Sequence, residues 1–170
     1  MNSRSFKMKR LGILGLLVAL GSAAWGCGIN TDPAVFVEAS IESPSASLTQ
    51  GTLVSTISGS LTVHLHLGPR AADASEVKLG VLSVQDPTRT TTFVPTLGVQ
   101  TSPPFPVAVD IDSDVVVAVS FAAQDNQLET ATYDAVCAAD NIVISGALDD
   151  SLRGGTISVA SASFAPSGCP

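Results

Sequence analysis

The sequence predicts an all-β chain, an antiparallel β-sandwich of immunoglobulin-like architecture, with a jelly roll or small β-barrel as the alternative. Three observations predict it. Short runs rich in Val, Ile, Thr and Ser recur along the chain, residue types that suit a pleated, half-buried surface. Turn-forming pairs separate these runs, among them Gly68 with Pro69, Asp86 with Pro87, Pro103 with Pro104 and Asp125 with Asn126. No helical period extends beyond two turns, although 71–75 and 133–139 each leave room for a short helix.

The clearest strand spans 53–67. Its odd positions are apolar or small (Leu53, Ser55, Ile57, Gly59, Leu61, Val63, Leu65, Leu67), and its even positions are mostly polar. A period of two puts one set against a core and the other in solvent. Such a run is long for one strand, so a bulge or bend near Gly59 is expected. Further strands are expected at 34–41, 76–85, 90–94, 106–111, 115–122, 129–133, 141–148 and 156–164. A Gly- and Asp-rich turn at 149–155 precedes the last of them, and its adjacent Asp149 and Asp150 read as a solvated tip. The cysteine–tryptophan core of antibody domains is absent. No internal repeat of fixed period is found, and 34–170 reads as a single domain.

Residues 1–26 have the three parts of an export signal. Arg4, Lys7, Lys9 and Arg10 are its positive start, residues 11–20 its apolar centre, and 21–26 its small-residue end. An apolar helix of that length rises only about 15 Å, roughly half a bilayer core. It therefore reads as a cleaved signal rather than a permanent span.

The segment ends on Ala24, Trp25, Gly26 and Cys27, which resembles the lipobox of bacterial lipoproteins. Gly26 and Cys27 carry the resemblance; Ala24 stands where Leu is usual, and Trp25 is bulky for its place. The resemblance implies cleavage before Cys27, lipidation of that residue, and 27–33 as a tether to the membrane. Ordinary cleavage near Ala23 or Ala24 would instead leave Cys27 as a free or disulfide-forming thiol. With Cys27 lipidated, Cys137 and Cys169 remain as a natural disulfide pair in an oxidising compartment. No Cys-x-x-Cys or Cys/His spacing suggests a metal at these cysteines.

Four basic residues and no acids lie in the signal, so the remainder carries four basic against fifteen acidic residues, a net charge of −11. That sign repels phosphate backbones and argues against nucleic acid as a partner. It equally disfavours docking on anionic head groups, leaving the lipid as the means of membrane contact. After the signal the chain has no tryptophan and few other rings: Phe36, Phe93, Phe105, Phe121, Tyr133 and Phe164. Stacking platforms for sugars are therefore scarce.

Candidate chemistry is sparse. His64 and His66 are the only histidines, and their i, i+2 spacing puts both rings on one strand face, as a His-x-His metal site requires. No neighbouring Asp, Glu or His supplies the third ligand that a catalytic zinc needs, so they read as solvated side chains on the polar face. Asp110, Asp112 and Asp114 form the densest acidic cluster. A turn at Ser113 would bring the three carboxylates together as a calcium site; a straight strand would leave them along its solvated face. No G-x-S-x-G elbow or phosphate-binding glycine loop is present, and the paired thiols leave no thiolate nucleophile.

The expected protein is thus non-enzymatic and lipid-anchored at the outer membrane or cell surface, with a periplasmic or secreted location as the alternative. Its expected role is structural or interactive, with the membrane and other envelope proteins as contacts. The competing reading is a calcium- or carbohydrate-binding module.

Overall fold

The computed structural model describes residues 32–52, 54–124 and 127–170. The signal, Cys27 and the tether before Asp32 lie outside the described residues, as do Leu53, Asp125 and Asn126.

The period-two segment becomes β2 (Thr56–Leu67), with Ile57, Leu61, Val63, Leu65 and Leu67 buried. It sits between β1 (Glu38–Thr49) and β7 (Ser113–Ala123), both antiparallel to it. From β7, Val117, Val119, Phe121 and Ala123 enter the same core. Strand β5 (Leu97–Ser102) pairs with the outer side of β7, giving a four-stranded sheet of order β1-β2-β7-β5.

The second sheet is built on β3 (Ser75–Gln85), β8 (Val143–Asp150) and β9 (Gly155–Ala160). Two short strands, β4 (Thr92–Val94) and β6 (Val107–Val109), pair with opposite ends of β3, so the order is β4-β3-β8-β9 with β6 also on β3. Val77, Leu82, Val84, Val109, Ile144 and Leu148 carry its buried face. The two sheets pack through these faces as an antiparallel β-sandwich, each with its own edge strands rather than joined as a closed barrel.

Several local expectations are corrected. The irregularity expected near Gly59 lies instead on the neighbouring strand, where Glu42 pairs with Thr62 but Ser45 pairs with Ser60. One extra residue is accommodated there, around Ser43 (φ 48°) and Pro44. Proline lacks an N–H and is tolerated at bulges and edges, which is why β1 continues beyond 41 to bury Ala46 and Leu48. A second bulge, between Leu79 and Leu82, returns the apolar residues of β3 to the core.

The segment 129–133 is not a strand. Thr130–Ala138 is a helix, α1, whose Tyr133 and Val136 are buried one turn apart. Three alanines favour the helical backbone, and the i, i+3 spacing turns both large residues inward. Conversely, β5 lies outside the expected strands: of its residues only Leu97 is buried, so pairing to β7 rather than alternation makes it a strand.

The last ten residues cross between the sheets. Ile142 and Phe164 exchange backbone hydrogen bonds at 2.8 and 3.0 Å, then Ser167 accepts from Leu48 and donates to Ala46 on β1. Cys169 closes the tail onto α1 through a disulfide with Cys137, with Cα atoms 5.4 Å apart. Tyr133 Oη donates to the Gly168 carbonyl at 3.0 Å beside it.

Candidate functional site

The polar even positions of β2 carry both histidines onto the outer face of the four-stranded sheet, near one end. Register places Glu38 of β1 and Asp114 of β7 on either side of His66. The N-terminal segment then crosses this end, and Asp32 reaches His66 from above. His66 Nε2 lies 2.6 Å from Asp32 Oδ2, and His66 Nδ1 lies 2.9 Å from Asp114 Oδ1. His64 Nε2 stands 3.5 Å from the same Asp114 oxygen.

The close crossing has a steric requirement. A Cβ on Gly68 would come within 2.6 Å of the Ala34 carbonyl and 2.9 Å of Asp32 Oδ2. Glycine at the end of β2 therefore lets the N-terminal segment lie against the sheet. Asp32 is further oriented by the Ala34 N–H, which donates to its Oδ1 at 2.9 Å.

Electrostatics follow from this arrangement. The Ala34 N–H, and next the His66 ring, hold the Asp32 carboxyl below its ordinary range. Hydrogen bonding to Asp32, then to Asp114, raises His66 above the ordinary imidazole value. The histidines are thus not simply solvated: His66 is 28% exposed and clasped between two carboxylates.

The three aspartates of the acidic cluster are placed differently from one another. The chain turns at Ile111 and Asp112 (φ 58°), with Ser113 Oγ donating to the Asp110 carbonyl at 2.6 Å. Asp114, the second residue of β7, faces His66 and His64. Among the described residues, no group of three or more His, Cys, Asp or Glu side chains is arranged to hold a metal ion.

Asp150 departs from the expected solvated tip. Asp149 is exposed, but Asp150 is 1% exposed at the inner end of β8. It accepts from Ser75 Oγ, from Val37 N–H at 3.2 Å and from Leu152 N–H at 2.9 Å. Arg153 Nε stands 3.9 Å away, and the same guanidinium lies over the Phe36 ring. These contacts fasten residues 36–37 to the 150–155 turn. Strand parity is the signal that could have found it, since Ile144, Leu148 and Asp150 all share one face of β8.

Farther along the outer face of the four-stranded sheet lies a shallow groove of about 490 Å³, lined by Ser60, Thr62, Gln100, Ser102, Ala118 and Ser120 among others. None of its lining residues titrates. Among the described residues, no helix is long and apolar enough to cross a membrane. Compared with known proteins, the chain matches no family model and has no significant match among curated proteins or solved structures.

Proposed function

We propose that this chain is an exported envelope protein, anchored by a lipid on Cys27, whose β-sandwich serves as a non-enzymatic structural or interaction module. The observation that carries the reading is the Cys137–Cys169 disulfide. It accounts for two of the three cysteines and leaves Cys27, at the end of a signal-like segment, as the residue with a separate role. Structural disulfides also belong to oxidising, extracytoplasmic compartments.

Strand order supports the interaction-module part. Immunoglobulin-like sandwiches set strands A-B-E-D against C-F-G. Reading β1, β2, β7 and β5 as A, B, E and D, and β3, β8 and β9 as C, F and G, supports such an arrangement, with β4 and β6 as additional strands on β3. Sandwiches of this kind commonly present loops and sheet faces to partners. An open groove lined by hydroxyls and amides, without a titratable group, suits contact better than bond-making chemistry.

The experiment is fractionation of cells producing the full chain and its Cys27→Ser variant. The full chain is expected with the membranes and Cys27→Ser in the soluble extracytoplasmic fraction. Identical partitioning of the two would refute the anchor.

A further inference from the structure

The geometry points to His66 as a proton-operated latch that holds the N-terminal segment 32–35 on the rim of the sandwich while the ring carries both protons and slackens it when one is lost. Each ring nitrogen of His66 lies within hydrogen-bond distance of a carboxylate oxygen, at 2.6 Å for Asp32 and 2.9 Å for Asp114. A carboxylate can only accept, and a neutral imidazole has a single N–H to donate. Only the imidazolium satisfies both partners. Removing its proton turns one contact into a lone pair facing a carboxylate.

The two partners come from different parts of the chain. Asp114 belongs to β7 and is fixed by the sheet, whereas Asp32 belongs to the segment that enters the domain. The first fastenings beyond it are the Val37 N–H to Asp150 and the Phe36–Arg153 contact. Loss of the His66–Asp32 bond therefore acts on the chain ahead of Phe36, where Ala34 rests on Gly68.

Among the described residues, these charged and titratable neighbours face the site. His64 shares Asp114 Oδ1 from the same strand, Glu38 flanks His66 from β1, and Arg70 acts on Asp32 from the turn after β2. Asp32 and Asp114 favour the imidazolium; His64, when charged, competes for Asp114, and Arg70 for Asp32. A histidine raised by its partners contributes its stabilisation fully below its unfolded value of 6.5 and loses it as pH rises through the folded value above that. The latch thus slackens as pH rises above 6.5. It stands on contacts among residues of the domain itself and is independent of lipidation at Cys27.

Because His64 and His66 are the only histidines, NMR titration of the ring protons in the full chain resolves the two directly. His66 is expected to titrate above 6.5, and Asp32→Asn and Asp114→Asn are each expected to lower it. Backbone exchange protection at residues 34–36, taken as the ratio of full chain to His66→Gln, reads the latch itself. That ratio is expected to be about two- to fivefold larger near pH ~5.5 than near pH ~8.5, the effect of a partly exposed ion pair. A His66 titration unmoved by either aspartate variant, or an equal ratio at both pH values, would overturn the latch.

Discussion

Phe121 lies across Gly59 from the neighbouring strand: a Cβ on Gly59 would sit 2.4 Å from the Phe121 Cζ and 2.0 Å from the Ser45 carbonyl oxygen. The ring can give way, but the backbone oxygen of the paired strand cannot. Gly59→Ala is therefore expected to lower stability by about 1–3 kcal/mol in urea unfolding, the usual cost of overpacking a core. Gly155→Ala is the control, since nothing lies within 4 Å of its Cβ position; its change should stay under about 0.5 kcal/mol. Equal stabilities for the two variants would mean that Phe121 does not occupy this site.

The tail is held by one strong constraint and several weak ones. In the chain-entropy view, a bridge between residues separated by 32 positions stabilises by about 3–4 kcal/mol. A single hydrogen bond such as Tyr133 to Gly168 contributes about 0.5–1.5 kcal/mol. Cys137→Ser with Cys169→Ser should thus lower the unfolding free energy by about 3–4 kcal/mol, and Tyr133→Phe by about 1 kcal/mol. Denaturant melts with and without reductant provide the check, and insensitivity to reductant would contradict the bridge.

Asp150 brings three donors together inside the domain: Ser75 Oγ, Val37 N–H and Leu152 N–H. Removing the carboxylate leaves buried donors without an acceptor, which costs about 1–3 kcal/mol per group before relaxation. Asp150→Ala is expected to lose about 2–4 kcal/mol, whereas Asp149→Ala, at an exposed neighbouring position, should be nearly neutral. Thermal melts of the pair decide it.

Acid should act partly through Asp86, whose carboxyl is held down to about 2 by the Thr88 hydroxyl first and then by the Thr91 N–H. A lowered carboxyl contributes fully above its unfolded value of 3.8 and loses that contribution as pH falls through about 2. Asp86→Asn should melt below the unaltered chain at neutral pH, and the gap should narrow as pH falls below 3.8 and close as it passes about 2. A gap that stays constant with pH would assign its effect to something other than ionisation.

Much of the sandwich was legible because most strands bury one face, so Ile57 to Leu67 and Val115 to Ala123 announce themselves by alternation. Where burial is slight, alternation fails. Strand β5 buries little beyond Leu97, and only its pairing to β7 defines it. The room for a short helix at 133–139 matches the second part of α1, but 129–133 reads as a strand because it is too short to show a helical period before Tyr133 and Val136 meet the core. The pairing of Cys137 with Cys169 followed from cysteine arithmetic. The His66 cluster did not, because Asp32 is 34 residues away from His66 in sequence and Asp114 48. Only the crossing of the N-terminal segment over Gly68 brings the first of them to the ring.

Cys27 is the residue on which the proposed anchor depends, and mass spectrometry of the mature N-terminal peptide tests it most directly. The expected peptide begins at Cys27 and carries the mass of attached lipid. A mature chain that begins elsewhere, or one in which Cys27 is unmodified, would contradict the lipid anchor.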